Sequence, residues 1–403
     1  MFLKCGRAVA LVCAVSLTGL AQQAGPWDLK ALFKTPQVFD APEFATNGVK
    51  AIFYEGLPYQ GKPTRVFAYY AIPQVEPGKK VPGIVLVHGG GGSAFIRWVK
   101  LWNSRGYAAI SMDTCGAVSG NAYGQEQTGH VRHAQGGPAG WGAFDRVDDP
   151  VQDQWTYHAV ADVLLGHSLL RSFPEVDAGR IGITGISWGG YLTCIAASLD
   201  DRFAFAVPVY GCGFLGDNSA WLGDFKNMGA ERSKKWLSLW DPSVYMAQAR
   251  VPFLWVTGSN DFAYPLDSLQ KGYHLLKVPH ALCIRLRMPH GHGEAGENPA
   301  EILAFAEQTL SHRPLLPSFT SVKRDGRQVT ATFSSGLSTV VRAELNYTLD
   351  GGTWKDRKWE STGVTLNSCS GVVQAEIPEK ATVYYLNLVT EKDYVISSEH
   401  EEL

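Results

Sequence analysis

Residues 180–191 read Arg-Ile-Gly-Ile-Thr-Gly-Ile-Ser-Trp-Gly-Gly-Tyr, and few stretches of this length leave a chain so little choice. Ile181, Ile183 and Ile186, set among small residues, predict a buried strand, and the apolar run 191–199 predicts a helix. Between them Gly185 and Gly189 flank Ser187 in a Gly-x-Ser-x-Gly frame. A sharp strand-to-helix turn needs those glycines, because backbones approach there without room for a Cβ. Such a turn lifts the Ser187 hydroxyl to the top of a sheet, with the first amides of the helix pointing at it. The pentapeptide also arises by chance, so its meaning depends on what the rest of the chain sets beside it.

The rest of the chain alternates strands and helices. Residues 49–72 read as two antiparallel strands around a Gly-Lys-Pro turn. Residues 81–87 form an apolar run of the kind buried on both faces of a parallel sheet, and it ends in His88-Gly89-Gly90-Gly91-Gly92. A helix carrying Phe95, Val99 and Trp102 follows, then a strand over 107–112 with Asp113 at its end. Residues 114–150, rich in Gly, His and Gln, are too long for an ordinary connection and read as an insertion over the active face. A helix over 151–170 follows. Strands over 180–186, 203–210, 252–257 and 281–288 then alternate with helices over 191–199, 266–276 and 299–310, interrupted by a Trp-rich insertion up to residue 250. This is the pattern of a parallel sheet with helices on both faces.

Pro314 and Pro317 mark a change of character. Beyond them short alternating runs are separated by Asp-Gly, Gly-Gly and Pro-Glu turns, which predicts a small all-β, sandwich-like unit. Its Trp354 and Trp359 read as core residues or, alternatively, as a sugar-binding platform. The expected plan is a signal peptide over 1–21, a catalytic α/β unit over 22–313 and the β unit over 314–403. The signal reading rests on Lys4 and Arg7 ahead of an apolar run over 8–17, then Gly19 and Ala21 at a cleavage position. It predicts export to the periplasm or beyond, with no membrane attachment once the signal is removed.

A formal net charge of −2 gives no reason to expect nucleic acid as a partner. Past the signal, Cys115, Cys194, Cys212, Cys283 and Cys369 show no paired spacing for a zinc site or a disulfide framework. Export would permit one bridge, for which Cys115 and Cys212 are the candidates.

Three features fall at the carboxyl ends of predicted strands, where open α/β sheets build their sites. Ser187 ends one strand, Asp261 another, and Pro289-His290-Gly291-His292-Gly293 follows the last. An alcohol is a poor nucleophile at neutral pH, so an imidazole must take its proton, and a carboxylate must fix that imidazole's tautomer. Asp261 also reads as a turn residue. Of the two histidines, His292 sits on the longer loop, with room to swing over Ser187, and is preferred as the base, with His290 the alternative. The amides of Trp188 and of Gly90 or Gly91 are placed to stabilise an oxyanion. A phosphate loop is the competing reading of the glycine run, but the Gly-Lys-Ser/Thr ending is missing. No cofactor and no metal are expected.

Taken together, strand-His-Gly-Gly-Gly, Gly-Ile-Ser-Trp-Gly-Gly, Gly-Ser-Asn-Asp-Phe-Ala-Tyr-Pro and His-Gly-His-Gly resemble the α/β-hydrolase superfamily over about residues 49–310. Within it the chain is similar to exported bacterial hydrolases grouped with acetyl xylan esterases, dienelactone hydrolases and the catalytic domain of prolyl oligopeptidases. The resemblance implies an α/β-hydrolase fold and a triad of Ser187, Asp261 and a histidine of the last loop. Its activity would be serine hydrolysis of a carboxylic ester, small or borne on a polysaccharide. The Trp-rich insertions (Trp141, Trp155, Trp188, Trp221, Trp236, Trp240) offer faces for sugar rings, or simply pack on the sheet. A prolyl oligopeptidase-like peptidase is the second expectation, though few residues precede the first sheet motif for a gating propeller. A noncatalytic carbohydrate-binding protein is the third.

Overall fold

The computed structural model describes residues 25–119 and 130–403. The predicted signal peptide and part of the Gly- and Gln-rich stretch lie outside these residues. Six strands run parallel side by side, in the order Ala108–Met112, Val81–Val87, Val176–Ile186, Ala206–Val209, Phe253–Gly258 and His280–Arg285. On one flank Arg65–Ala71, Lys50–Glu55 and Val38–Asp40 continue the sheet antiparallel. This is the α/β-hydrolase architecture that the sequence implies. The parallel strands read as unbroken apolar runs because helices cover them: Phe253–Gly258 is buried at every position. The helix Trp188–Leu199 is likewise buried along its whole length, which explains why its sequence is apolar all round rather than striped. No helix among the described residues is long and apolar enough to cross a membrane.

The order of the strands positions the site. From Val81–Val87 the chain moves to Ala108–Met112 on one side, then returns through the helix Trp155–Ser172 to Val176–Ile186 on the other. The two connections diverge, so a crevice opens at the carboxyl ends of Val81–Val87 and Val176–Ile186. Val87 is in register with Gly185, which places the His88–Gly92 run beside Ser187.

The C-terminal residues are all-β, as expected, and one of their two sheets continues the main sheet. One sheet is separate: Ser318–Asp325, Gln328–Ser334, Val372–Glu376 and Thr365–Asn367, all antiparallel. The other, made of Val340–Thr348, Trp359–Gly363, Val383–Thr390 and Val395–Ser397, is an extension of the main sheet. Val395–Ser397 pairs antiparallel with His280–Arg285, Ser397 facing Leu282. The core between the two C-terminal layers holds Val329, Phe333, Leu345, Val373 and Leu386. The fusion has a physical reason: His280–Arg285 would otherwise be an open edge with unpaired backbone groups. Side chains complete the seam, the Ile284 amide donating to Ser397 Oγ at 2.7 Å and Asn387 Nδ2 donating to the Ile284 carbonyl at 3.2 Å. Trp354 and Trp359 are buried and stacked on one another, so they are core residues rather than a sugar platform.

His400 lies at this junction, buried, with the edge of its ring on Trp354. Burial pulls its pKa down to about 4, so the native state keeps it neutral where an unfolded chain would already be protonated. The unfolded state then binds more protons, and stability falls as pH drops from the ordinary histidine range towards about 4. His400→Phe keeps the aromatic contact and removes the titration. Urea unfolding at stepped pH is expected to show a shallower acid loss for that variant than for wild type.

Candidate active site

Ser187 stands at φ 57° and ψ −118°, a conformation that costs a non-glycine residue roughly 1–3 kcal/mol and persists only where its surroundings enforce it. Here they do. The Ser187 amide donates to the Val209 carbonyl at 2.8 Å, and the Tyr191 amide donates back to the Ser187 carbonyl at 2.9 Å. A Cβ on Gly189 would stand 2.0 Å from the Val87 carbonyl oxygen, and one on Gly185 would stand 2.2 Å from the Gly189 oxygen. Both glycines are therefore obligatory, as the sequence frame suggests. Ser187 is half-buried and opens the helix Trp188–Leu199, whose first amides have no intrahelical acceptor.

Asp261 follows Phe253–Gly258 and is buried. Its Oδ1 accepts from the amides of Ala263 (2.9 Å) and Tyr264 (2.7 Å), and its Oδ2 meets His290 Nδ1 at 2.7 Å. The turn reading of this residue and a contact to an imidazole coexist: one oxygen makes the turn, and the turn aims the other at His290. The His290 ring lies between Tyr210, at 4.6 Å, and the half-exposed Phe262, at 4.8 Å. The Tyr210 hydroxyl donates to the Pro289 carbonyl, and burial, reinforced by Asp261, pushes its pKa well up.

The preference for His292 as the partner of Asp261 is overturned. The short helix Glu294–Glu297 begins directly after Gly293 and draws His292 the other way. Its Nδ1 lies 3.0 Å from Glu297 Oε1, and its Nε2 accepts the Gly89 amide at 2.9 Å. Burial holds its pKa below the ordinary histidine range, against the opposing pull of Glu297. Loop length therefore misled, and His290, the alternative, occupies the position facing the carboxylate. Arg97 closes this second cluster with two hydrogen bonds to Glu297, at 3.0 and 2.6 Å.

The glycine run sits against the serine. A Cβ on Gly89 would meet Ser187 Cβ at 3.1 Å, and one on Gly90 would meet Trp188 Cδ1 at 2.9 Å. Gly90 is thus brought against the Trp188 ring, next to the residue that packs on Ser187, while Gly91 turns outward at φ 74° with open space around it. The Gly89 amide is already engaged by His292. Asp113 has a building role: it accepts from the Cys115 and Ala117 amides and from Ser93 Oγ, bracing the loops behind the glycine run.

Of the tryptophans in the insertions, Trp155, Trp188, Trp236 and Trp240 are buried, so packing explains them, and only Trp141 and Trp221 keep part of their surface. Cys115 and Cys212 are both buried and form no disulfide, so the bridge that export would permit is not made, and burial pushes both thiols well up. Sequence reasoning missed Glu297, Arg97 and Asn260. Glu297 carried one faint signal, an acid five residues after the second histidine. Arg97 carried none, standing 200 residues away from its partner.

Residues 30–221 match the family model described as acetyl xylan esterase, and residues 146–312 match the prolyl oligopeptidase family. The acetyl xylan esterase of Paenibacillus sp. R4 superposes with a TM-score of 0.54 at 23% identity, over 69% of this chain and 91% of that one. Acetyl xylan esterase 1 of Thermoanaerobacterium sp. JW/SL YS485 gives 0.53 at 17% identity, over 71% and 94%. An uncharacterized peptidase of Bacillus subtilis (strain 168), YuxL, is 25% identical over 219 residues, which is 51% of this chain but only 29% of the peptidase. The structural likenesses show the fold, and the two family matches support a serine hydrolase.

The double duty of Asp261 can be separated by substitution. Asp261→Ala leaves two buried amides unpaired and is expected to lose about 2–3 kcal/mol of stability, whereas Asp261→Asn keeps an acceptor for them and loses much less. Denaturant unfolding of the two variants beside wild type checks this.

Proposed function

We propose, from an α/β-hydrolase fold that resembles the acetyl xylan esterase, dienelactone hydrolase and prolyl oligopeptidase group, that this protein is a serine carboxylic ester hydrolase. Its triad is Ser187, His290 and Asp261, and its substrate an acylated carbohydrate met after export. One observation carries the reading: a serine held in a strained turn against a glycine loop, in a fold whose last parallel strand leads to an imidazole already fixed to a buried carboxylate.

The chemistry follows from the groups present. With Nδ1 bound to Asp261, the His290 ring has Nε2 left to take the Ser187 proton as the serine oxygen attacks the ester carbonyl. A C–O bond forms, and the carbonyl electrons move onto oxygen. We assign the stabilisation of that oxygen to the amides of Trp188 and Gly90, Gly90 lying against the Trp188 ring. On collapse the alcohol leaves with the proton from His290, and water repeats the cycle to release the acid and free Ser187. Asp261 accepts the hydrogen bond from Nδ1 throughout and so stabilises the imidazolium.

The leaving group must sit beside His290, because His290 gives it a proton. Phe262, 53% exposed, covers that side of the ring and offers a flat apolar face of the kind sugar rings pack on. Half-buried Trp221, whose ring meets both Trp188 and Tyr264, lies nearby. The acetyl xylan esterase match spans the glycine loop and the serine turn, which supports ester over amide. The second reading, a peptidase, is favoured by the prolyl oligopeptidase match over the serine, aspartate and histidine loops.

A panel of acetylated xylan, feruloyl and methyl-glucuronoyl esters and proline-containing peptides tests the reading. Ester cleavage is expected, with kcat lowered by roughly 10⁴-fold or more in Ser187→Ala and by about 10³-fold or more in His290→Ala. Amine release from peptides without ester turnover would give the reaction to the peptidase reading. Tight polysaccharide binding with no turnover of any substrate would replace both by a binding protein.

A further inference from the structure

The second imidazole cluster has no place in the triad, yet its geometry is as closely specified as that of the triad. A backbone N–H can only donate, so the 2.9 Å contact from the Gly89 amide requires a lone pair on His292 Nε2. His292 is therefore neutral, with its proton on Nδ1 and pointed at Glu297 Oε1. Glu297 is held by two bonds from Arg97, and Phe95 and Trp98 pack on the His292 ring, so the acceptor nitrogen is fixed in direction.

The other face of the same residue is held in the same way. The Thr114 amide donates to His88 Nε2 at 3.0 Å, which puts the His88 proton on Nδ1, and Nδ1 lies 2.8 Å from the Gly89 carbonyl. The Gly92 amide also donates to that carbonyl, at 3.0 Å. Gly89 is thus gripped at its N–H by one neutral imidazole and at its C=O by another. The peptide groups it anchors lead straight to Gly90, which abuts Trp188.

We infer that His292 is a positioning residue that acts as a hydrogen-bond acceptor for Gly89 and so holds the Gly89–Gly90 loop in the conformation that receives the oxyanion. The inference rests on the reading of Ser187 as a nucleophile, and adds that the doubled histidine divides its labour: His290 moves the proton, and His292 holds the loop. It also makes the loop sensitive to acid. Protonation would turn Nε2 from an acceptor into a donor facing the Gly89 N–H. The charged and titratable groups facing His292 are Glu297, Arg97 and His290. Burial keeps the neutral form to lower pH than an ordinary histidine, so the loop is held through neutral pH and released only as pH falls through that lowered value.

Three variants test this against the ester panel and against the rate of Ser187 labelling by a fluorophosphonate, which needs an oxyanion site but no natural substrate. His292→Phe fills the same space without an acceptor, and is expected to lower kcat and the labelling rate by about 10- to 100-fold with KM little changed. His292→Gln places an amide oxygen near the Nε2 position, and is expected to recover activity to within a few-fold of wild type and to lack one component of the acid limb of kcat. His290→Ala is expected to lower kcat by about 10³-fold or more independently of the loop. Wild-type rates and an unaltered acid limb in His292→Phe overturn the inference while leaving the esterase reading intact. A loss in His292→Gln as deep as in His290→Ala also overturns it, because it makes His292 the base. If wild type cleaves no ester but is labelled, the esterase reading fails, and the labelling rates of the three proteins still decide the role of His292. Circular dichroism and thermal unfolding of each variant separate a displaced loop from a lost fold.

Discussion

Everything at this site depends on how closely the start of one helix can press against the end of a neighbouring strand. Gly189 rests on the Val87 carbonyl at a distance no side chain would permit, and Gly185 rests on the carbonyl of Gly189. That double contact drives Ser187 into a left-handed conformation and puts its hydroxyl above the sheet rather than in it. It also fixes how near the glycine loop lies, because His88 and Gly89 follow the same Val87 without a break. The strained serine and the neighbouring glycine loop are thus two consequences of one packing contact at the point where the strand order divides.

Around that contact the protein repeats one device. An imidazole stands with one nitrogen on an acid or a carbonyl and the other nitrogen turned away from it. His290 has Asp261 behind it, His292 has Glu297 behind it, and His88 has the Gly89 carbonyl on one side and the Thr114 amide on the other. An imidazole has a single proton to place when neutral, so whatever engages one nitrogen decides what the other can do. At His290 Asp261 claims Nδ1 and leaves Nε2 as the second nitrogen, and at His292 Glu297 claims Nδ1 and Nε2 receives the Gly89 amide. The proposed division of labour, proton transfer at one imidazole and a held backbone at the other, rests on that difference.

The difference between these settings also explains what could be read from the sequence. The serine turn was legible because it requires glycine at fixed offsets, and the parallel strands because burial on both faces leaves no polar alternation. The order of Ser187, Asp261 and the histidine loop followed from placing each at a strand end. The choice between His290 and His292 was not legible. Loop length spoke for the second, but the outcome turned on the four-residue helix Glu294–Glu297 and on Arg97 from a distant helix, neither of which has a local signature. Trp155, Trp236 and Trp240 carried the same ambiguity, since the flat face that would stack on a sugar also fills a core. The fused C-terminal sheet was hidden for a related reason: alternation announces strands but says nothing of which edge they join.

That fusion reaches the site itself. The residue before the buried carboxylate, Asn260, donates through Nδ2 to the carbonyls of Trp354, Lys355 and Arg357, at 3.3, 3.1 and 2.7 Å. Ser259 Oγ donates to Asn260 Oδ1 and accepts from the Arg287 amide, and the Arg287 side chain in turn donates to the Trp359 carbonyl. The loop that aims Asp261 is therefore sandwiched: its own Ala263 and Tyr264 amides hold the carboxylate from within, and the backbone of the C-terminal turn around Trp354 and Arg357, with that of Trp359, holds the loop from without. Orientation of a buried carboxylate to within hydrogen-bonding tolerance asks for such support, because loops carried by one attachment alone are mobile. The β-rich tail belongs to the site's scaffold in the same sense as the parallel strands do. It covers an edge that would otherwise be open, and with the same contacts it stiffens the turn from which the imidazole of His290 takes its direction.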